Sequence, residues 1–261
     1  MKRRKVLKLV AAGWPVLASG AVEIAQEDRP VLVAVAASVQ RAMEELARNW
    51  AESSGRRLDV VYGSSGNFVR QIQQGLPAEL FLSADESFAL KLVEAGLARD
   101  RGVIYAMGRV ALLLAKGSAI ALDPQLHGLK DAWGTIEKFA IANPELAPYG
   151  QAAREVLQTV GLWDRAQSKL VMGENIGQAT QFVVTGSAQA GITALSLLIG
   201  NAAQGLGPYL ALPDSLHAPL RQRMVLLRSA RPQASAFYQY LQTAPARAVL
   251  QRHGFGVPVE K

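Results

Sequence analysis

The sequence contains no cysteine, which excludes disulfide bridges, thiolate metal sites and a cysteine nucleophile together. Its histidines are three, His127, His217 and His253. They stand apart, and none has a second histidine or a glutamate at metal-ligand spacing, so the chain lacks the pattern of a zinc site. Beyond the N-terminus no apolar run approaches the roughly 20 residues of a membrane-spanning helix. No basic run is interleaved with aromatics, and nucleic-acid binding loses its main support. There is no internal repeat and no low-complexity tract.

What is present begins with a basic cluster, Met1-Lys2-Arg3-Arg4-Lys5. A mostly apolar stretch from Val6 to Leu17 follows, and then the small residues Ala18-Ser19-Gly20-Ala21. Basic, apolar, small is the order of a secretory leader, and residues 1–21 are expected to be a signal peptide. The segment Arg3-Arg4-Lys5-Val6-Leu7-Lys8 also resembles a twin-arginine signal, with a valine where an aromatic is usual. Both export routes stay open. The leader also changes how the charge is read. The whole chain is formally +7, yet residues 1–20 hold five basic residues and no acidic one, leaving 23 against 21, or +2. The basicity is mainly an address. Some 240 residues, half of them apolar, then suffice for one large domain or two small ones.

Periodicity repeats one unit along the rest of the chain. Val31 to Ala36 is a continuous apolar run, as in a strand buried on both faces. Ser38 follows, and a helical face of Val39, Ala42, Met43, Leu46 and Trp50. Leu58 to Tyr62 leads through Gly63-Ser64-Ser65-Gly66 to a helix from Asn67 to Gln74. Leu80 to Leu82 leads through Asp85 to a helix ending at Gly96. Further strands are expected at Val110–Ala115, Lys138–Ala142, Leu170–Met172, Ala190–Ala194 and Met224–Leu227. Helices are expected at Gln151–Val160, from Ile176 to Gly186, and at Gln233–Gln242 and Pro245–His253. Strands alternating with helices argue for an α/β fold with largely parallel sheets.

In such a fold the functional loops lie at the carboxyl ends of strands. Helix N-termini there carry free N–H groups and the positive end of the helix dipole, which suit an anion. The turns supply Ser, Gly, Asn and Tyr, which are neutral donors.

Five segments in order carry a family resemblance: Ala36-Ala37-Ser38, Gly63-Ser64-Ser65-Gly66, Leu80 to Asp85, Asn143 to Gly150, and Gly173-Glu174-Asn175-Ile176 with Gln178. Together they resemble the periplasmic molybdate-binding proteins of molybdate ABC transporters, of the type II periplasmic solute-binding family. The match runs from about Val31 to the closing Gly254-Phe255-Gly256. It implies an α/β, two-lobed fold with the ligand in the inter-lobe cleft, residues 30–107 and 206–261 forming one lobe and 108–205 the other. It further implies a periplasmic monomer with no cofactor, binding molybdate or tungstate and delivering it to an ABC transporter permease.

Carried over by position, the oxyanion would be held by the hydroxyl and backbone N–H of Ser38 and of Ser65. Tyr149 and Ile176 would each add a backbone N–H. No side chain would ligate the molybdenum itself. Some members add a tyrosine hydroxyl from the strand that here reads Gly191 to Ser196, where the matching position is Ala194. Either Ser196, Tyr149 or Asn175 takes that role, or one oxygen is held less completely.

Other readings of these residues are plainer. Ser38 and Ser65 are each suited to capping a helix. Arg70 and Asp85 read as a helix-face charge and a cap, and Met224 and the tryptophans beyond the leader as core. The same fold tuned to sulfate or phosphate is one alternative function. A secreted serine hydrolase using Ser65 is another, but the glycine-x-serine-x-glycine spacing of a nucleophile elbow is absent. The chain reads as a binding protein, not an enzyme.

Overall fold

The apolar run Val31–Ala36 forms β1, with five of its six residues buried. A 3-10 turn, Ala37–Val39, links it to α1 (Gln40–Ser54), whose buried face is Ala42, Met43, Leu46 and Trp50. The chain continues through β2 (Leu58–Gly63), α2 (Ser65–Gln73), β3 (Leu80–Leu82), α3 (Glu86–Glu94) and β4 (Val103–Gly108). Next come β5 (Val110–Leu114), α4 (His127–Asp131), β6 (Phe139–Ala142), α5 (Pro148–Thr159) and the short α6 (Trp163–Ala166). After them lie β7 (Leu170–Gly173), α7 (Ile176–Val184), β8 (Ala190–Ala194), a 3-10 turn at Leu195–Leu197 and β9 (Tyr209–Ala211). β10 (Leu220–Leu226), α8 (Pro232–Tyr240) and α9 (Ala244–Arg252) complete the order. The computed structural model describes residues 29–200, 205–256 and 258, and the expected leader at 1–21 lies outside them. Among the described residues no helix is long and apolar enough to cross a membrane.

Two five-stranded sheets result, ordered β2-β1-β3-β10-β4 and β7-β6-β8-β5-β9. The sheets are mixed, not largely parallel as the alternating pattern suggests. β1 pairs parallel with β2 and β3, and β6 with β7 and β8. β10 runs antiparallel to β3 and β4, and β5 antiparallel to β8 and β9. The antiparallel members are the strands at which the chain changes sheets. It leaves the first sheet at Gly108, passes Arg109 and enters β5. It returns to the first sheet between Ala211 and Leu220, because β9 still pairs with β5.

Each sheet has its own core. In the first, Trp50 packs edge-on to Phe237 with centroids 5.5 Å apart and also meets Tyr240. In the second, Trp133 lies against Phe139 at 5.3 Å, both buried. Full burial of such a side chain contributes roughly 1.5–3 kcal/mol, which holds each lobe together without a disulfide.

Candidate anion-binding site

Five chain segments meet at one cavity where the lobes face each other, Ala84 after β3 among them. The first lobe contributes the ends of β1 and β2, with Ala37, Ser38, Ser64 and Ser65. The second contributes Ala147, Pro148 and Tyr149 at the start of α5, and Asn175 and Ile176 at the start of α7. The cavity is tight, about 10 Å³, far below the roughly 300–1,000 Å³ of pockets that take organic ligands. Its lining includes no histidine, lysine, arginine or carboxylate.

The backbone amides show what this lining offers. The first amides of a helix have no partner within it. In α2, Ser64 Oγ accepts from the Asn67 amide at 3.4 Å, and Gly66 and Phe68 donate to the carbonyls of Leu146 and Ser64. Ser65 N–H is left. In α5, Pro148 has no N–H, and Gly150 and Gln151 both donate to the Ala147 carbonyl at 2.8 and 3.1 Å. Tyr149 N–H is left. In α7, Asn175 Oδ1 accepts from Gln178 at 3.1 Å and the Asn175 carbonyl from Ala179 at 3.2 Å. Ile176 and Gly177 are left. The dipoles of three helices add partial positive charge at the same point.

The side chains follow the same pattern. Ser38 is 1% exposed, yet its Oγ makes no hydrogen bond. A buried hydroxyl without a partner costs about 1–3 kcal/mol, so this oxygen marks a place built for a polar guest. Ser38 is not the cap of α1; it lies inside the 3-10 turn and caps nothing. Nor does Ser65 cap α2, because Ser64 does, leaving Ser65 one position further on and fully buried. Ser65 Oγ accepts from the Ala84 amide at 3.0 Å, and its own proton remains to be donated.

All four residues singled out from sequence, Ser38, Ser65, Tyr149 and Ile176, line this one cavity, and each is at most 3% exposed. Asn175 lines it too, while capping α7. Ala194 is buried on β8 against Val110, and Ser196 beyond it donates to the Ser38 carbonyl. Arg70 is exposed on α2, and Asp85 caps α3 by accepting from Phe88. His253 bonds Glu45 and His127 lies near Asp123, both away from the cavity.

One polar group that sequence reasoning missed stands behind the site. Gln222 on β10 is fully buried and donates through Nε2 to Tyr149 Oη at 3.1 Å. Burial pushes the Tyr149 hydroxyl far above its usual range, opposed by Ser38, Gln222, the Arg109 amide and Ser196 around it. The Ser38 oxygen makes no hydrogen bond with that hydroxyl.

The lobes touch closely around the cavity. Gly66 N–H donates to the Leu146 carbonyl at 2.9 Å. A side-chain carbon at Gly66 would come within 3.0 Å of that oxygen, so glycine is what permits this approach. Asn67 also donates to Glu174 across the gap.

Known proteins agree with this geometry. The molybdate-binding protein ModA of Azotobacter vinelandii is 36% identical over 244 residues, covering 92% of this chain and 95% of its own. That of Rhodobacter capsulatus is 36% identical over 228 residues, covering 86% and 87%. The solved periplasmic molybdate-binding protein of A. vinelandii superposes with a TM-score of 0.81 at 31% identity, over 87% of this chain and 99% of that one. The sulfate-binding protein SubI from Mycobacterium tuberculosis, at 14% identity, a TM-score of 0.73 and coverage of 88% and 87%, shares the fold. Residues 31–256 match the family described as bacterial extracellular solute-binding protein, and the chain belongs to that family.

Proposed function

We propose that the chain captures molybdate, and tungstate with it, in the cavity between its lobes and hands it to an ABC transporter permease outside the cytoplasm. The observation that carries this reading is the set of uncommitted donors around a cavity without a charged side chain. Ser65, Tyr149 and Ile176 offer amides, and Ser38 and Ser65 offer hydroxyls. Hydrogen bonds to an ion are each worth roughly 1.5–3 kcal/mol, so a few of them hold a dianion without a counter-cation. Anion charge is met by helix dipoles, as helix N-termini favour. The 36% identical relatives named for molybdate support the choice of anion.

The ligand needs donors from both lobes, so binding draws the lobes together, and the closed form is what the permease engages. One chain supplies every donor, and a monomer is a complete receptor. The hydrolase reading finds no support in the cavity, because nothing in its lining is able to take a proton from Ser65. Sulfate and phosphate remain as competitors of the same shape.

A thermal-shift panel with molybdate, tungstate, sulfate and phosphate tests the proposal. A ligand present at a hundred times its Kd stabilises the folded state by about 2.7 kcal/mol. Molybdate and tungstate should raise the melting temperature, and the other two should not. A shift with sulfate alone would reassign the anion.

A further inference from the structure

Gln222 has the features of a group that does more than fill space. Its strand β10 is the first after the chain returns from the second sheet, and pairing with β4 slips between Gln222 and Arg223. Such a bulge re-aims the side chain beside it, and Gln222 is fully buried between two charged neighbours, Arg221 and Arg223. A buried amide is costly unless both its ends are bonded. Here both are. Oε1 accepts from Tyr105 Oη at 2.8 Å, and Nε2 donates to Tyr149 Oη at 3.1 Å. No other side chain would fit in the crossing, since a carbon added at Gly108 would fall 2.6 Å from Tyr149 Oη and 2.8 Å from Gln222 Nε2.

Tyr149 itself lines the cavity, and Tyr105 lies close to the Ser83–Ala84 peptide behind Ser65. Tyr105 Oη also lies 3.2 Å from the Ser83 carbonyl. The N–H of the same peptide group, on Ala84, donates to Ser65 Oγ at 3.0 Å. At the other end Tyr149 Oη has two lone pairs and one proton. Gln222 Nε2 donates to the oxygen. Gln222 thus joins Tyr105 of the first lobe to Tyr149 of the second, with one end of its amide on each hydroxyl.

We propose that Gln222 is a positioning residue for the anion site, fixing Tyr149 from the hinge strand so that donors of both lobes face the anion together. Gln222 does not touch the ligand. It ties Tyr149 of the second lobe to Tyr105 of the first. This rests on the oxyanion-binding reading given above.

The experiment is a double-mutant cycle with sodium molybdate titrated calorimetrically into the full chain. Gln222→Leu and Tyr149→Phe should each weaken binding about tenfold, and the double variant about tenfold as well, not a hundredfold, because both remove one connected bond. Melting of the ligand-free proteins separates this from a structural role, which would lower stability and leave the two losses additive. Gln222→Met, unbranched and of similar length, repeats the measurement if the leucine variant fails to fold. Unchanged affinity, or a product near a hundredfold in the double variant, overturns the inference while leaving molybdate binding intact. A wild-type protein that gives no molybdate heat overturns the functional reading and this inference with it.

Discussion

Ser196 and Ser38 belong to turns that leave different sheets, and the Ser196 hydroxyl donates to the Ser38 carbonyl at 2.7 Å. Both residues are buried. The bond joins the two lobes directly beside the cavity. On the proposed function, closing would draw on this protein–protein bond as well as on the ligand.

Ser196→Ala should accordingly shift the balance toward the open form. A neutral hydrogen bond contributes about 0.5–1.5 kcal/mol net, which predicts molybdate binding weaker by roughly two- to tenfold. Calorimetry reads this directly. An affinity equal to that of the wild type would show that the contact does not contribute to closure.

Ser65→Ala removes a donor to the anion and also the acceptor of the Ala84 amide. The first loss predicts binding weaker by about ten- to a hundredfold, and the second a less stable ligand-free protein by roughly 1–3 kcal/mol. A melting curve without ligand and a titration with it separate the two. A variant with normal stability and weak binding would mean that the Ala84 bond is not formed in solution.

Ile176 makes a sharper case, because only its backbone enters the account. Ile176→Val should bind normally. Ile176→Pro removes the N–H at the first position of α7, where proline is well tolerated. Asn175 before it is already extended, at φ −140° and ψ 173°, as a residue preceding proline must be. The proline variant should fold and bind at least about tenfold more weakly. Equal binding by both variants would remove the Ile176 amide from the site.

How far the sequence anticipated this site depends on the length scale of the signal. β1 and the face of α1 are legible because burial on a strand or a helix leaves a period of its own. The first-lobe strand Val103–Gly108 is less so. It pairs at the sheet edge with β10, and its alternation is too weak to separate it from a loop. β9 is three residues long and partly exposed, with Gly205, Gly207 and Pro208 just before it. Adjacent serines hide the start of α2, since either Ser64 or Ser65 satisfies the chemistry of a cap and only the fold decides. Gln222 left no trace at all. Between two arginines it reads as surface, and the bulge that buries it is a property of two strands distant in sequence.

Binding should be insensitive to pH in the neutral range, because no titratable side chain other than Tyr149 lines the cavity. Burial raises the Tyr149 pKa above the usual 10.0, and burial does the same for Tyr105. Both hydroxyls thus stay neutral and able to donate from about pH 7 to 9. The sign for stability follows. A raised folded-state pKa favours the folded form below the ordinary value, and the benefit falls as pH rises past it, when the unfolded tyrosines ionise. Molybdate affinity should be flat from about pH 7 to 9, and melting temperature should drop above about pH 10, less so in Tyr149→Phe. An affinity that changes tenfold between pH 7 and 9 would require a titrating ligand contact that the cavity does not contain.

Titration of molybdate into ligand-free protein, repeated in excess sulfate, bears on the central claim most directly. Capture by neutral donors within one chain predicts a single saturable site per chain, with heat that persists in the presence of sulfate. The absence of saturable heat, or its loss on adding sulfate, would contradict a site made for molybdate.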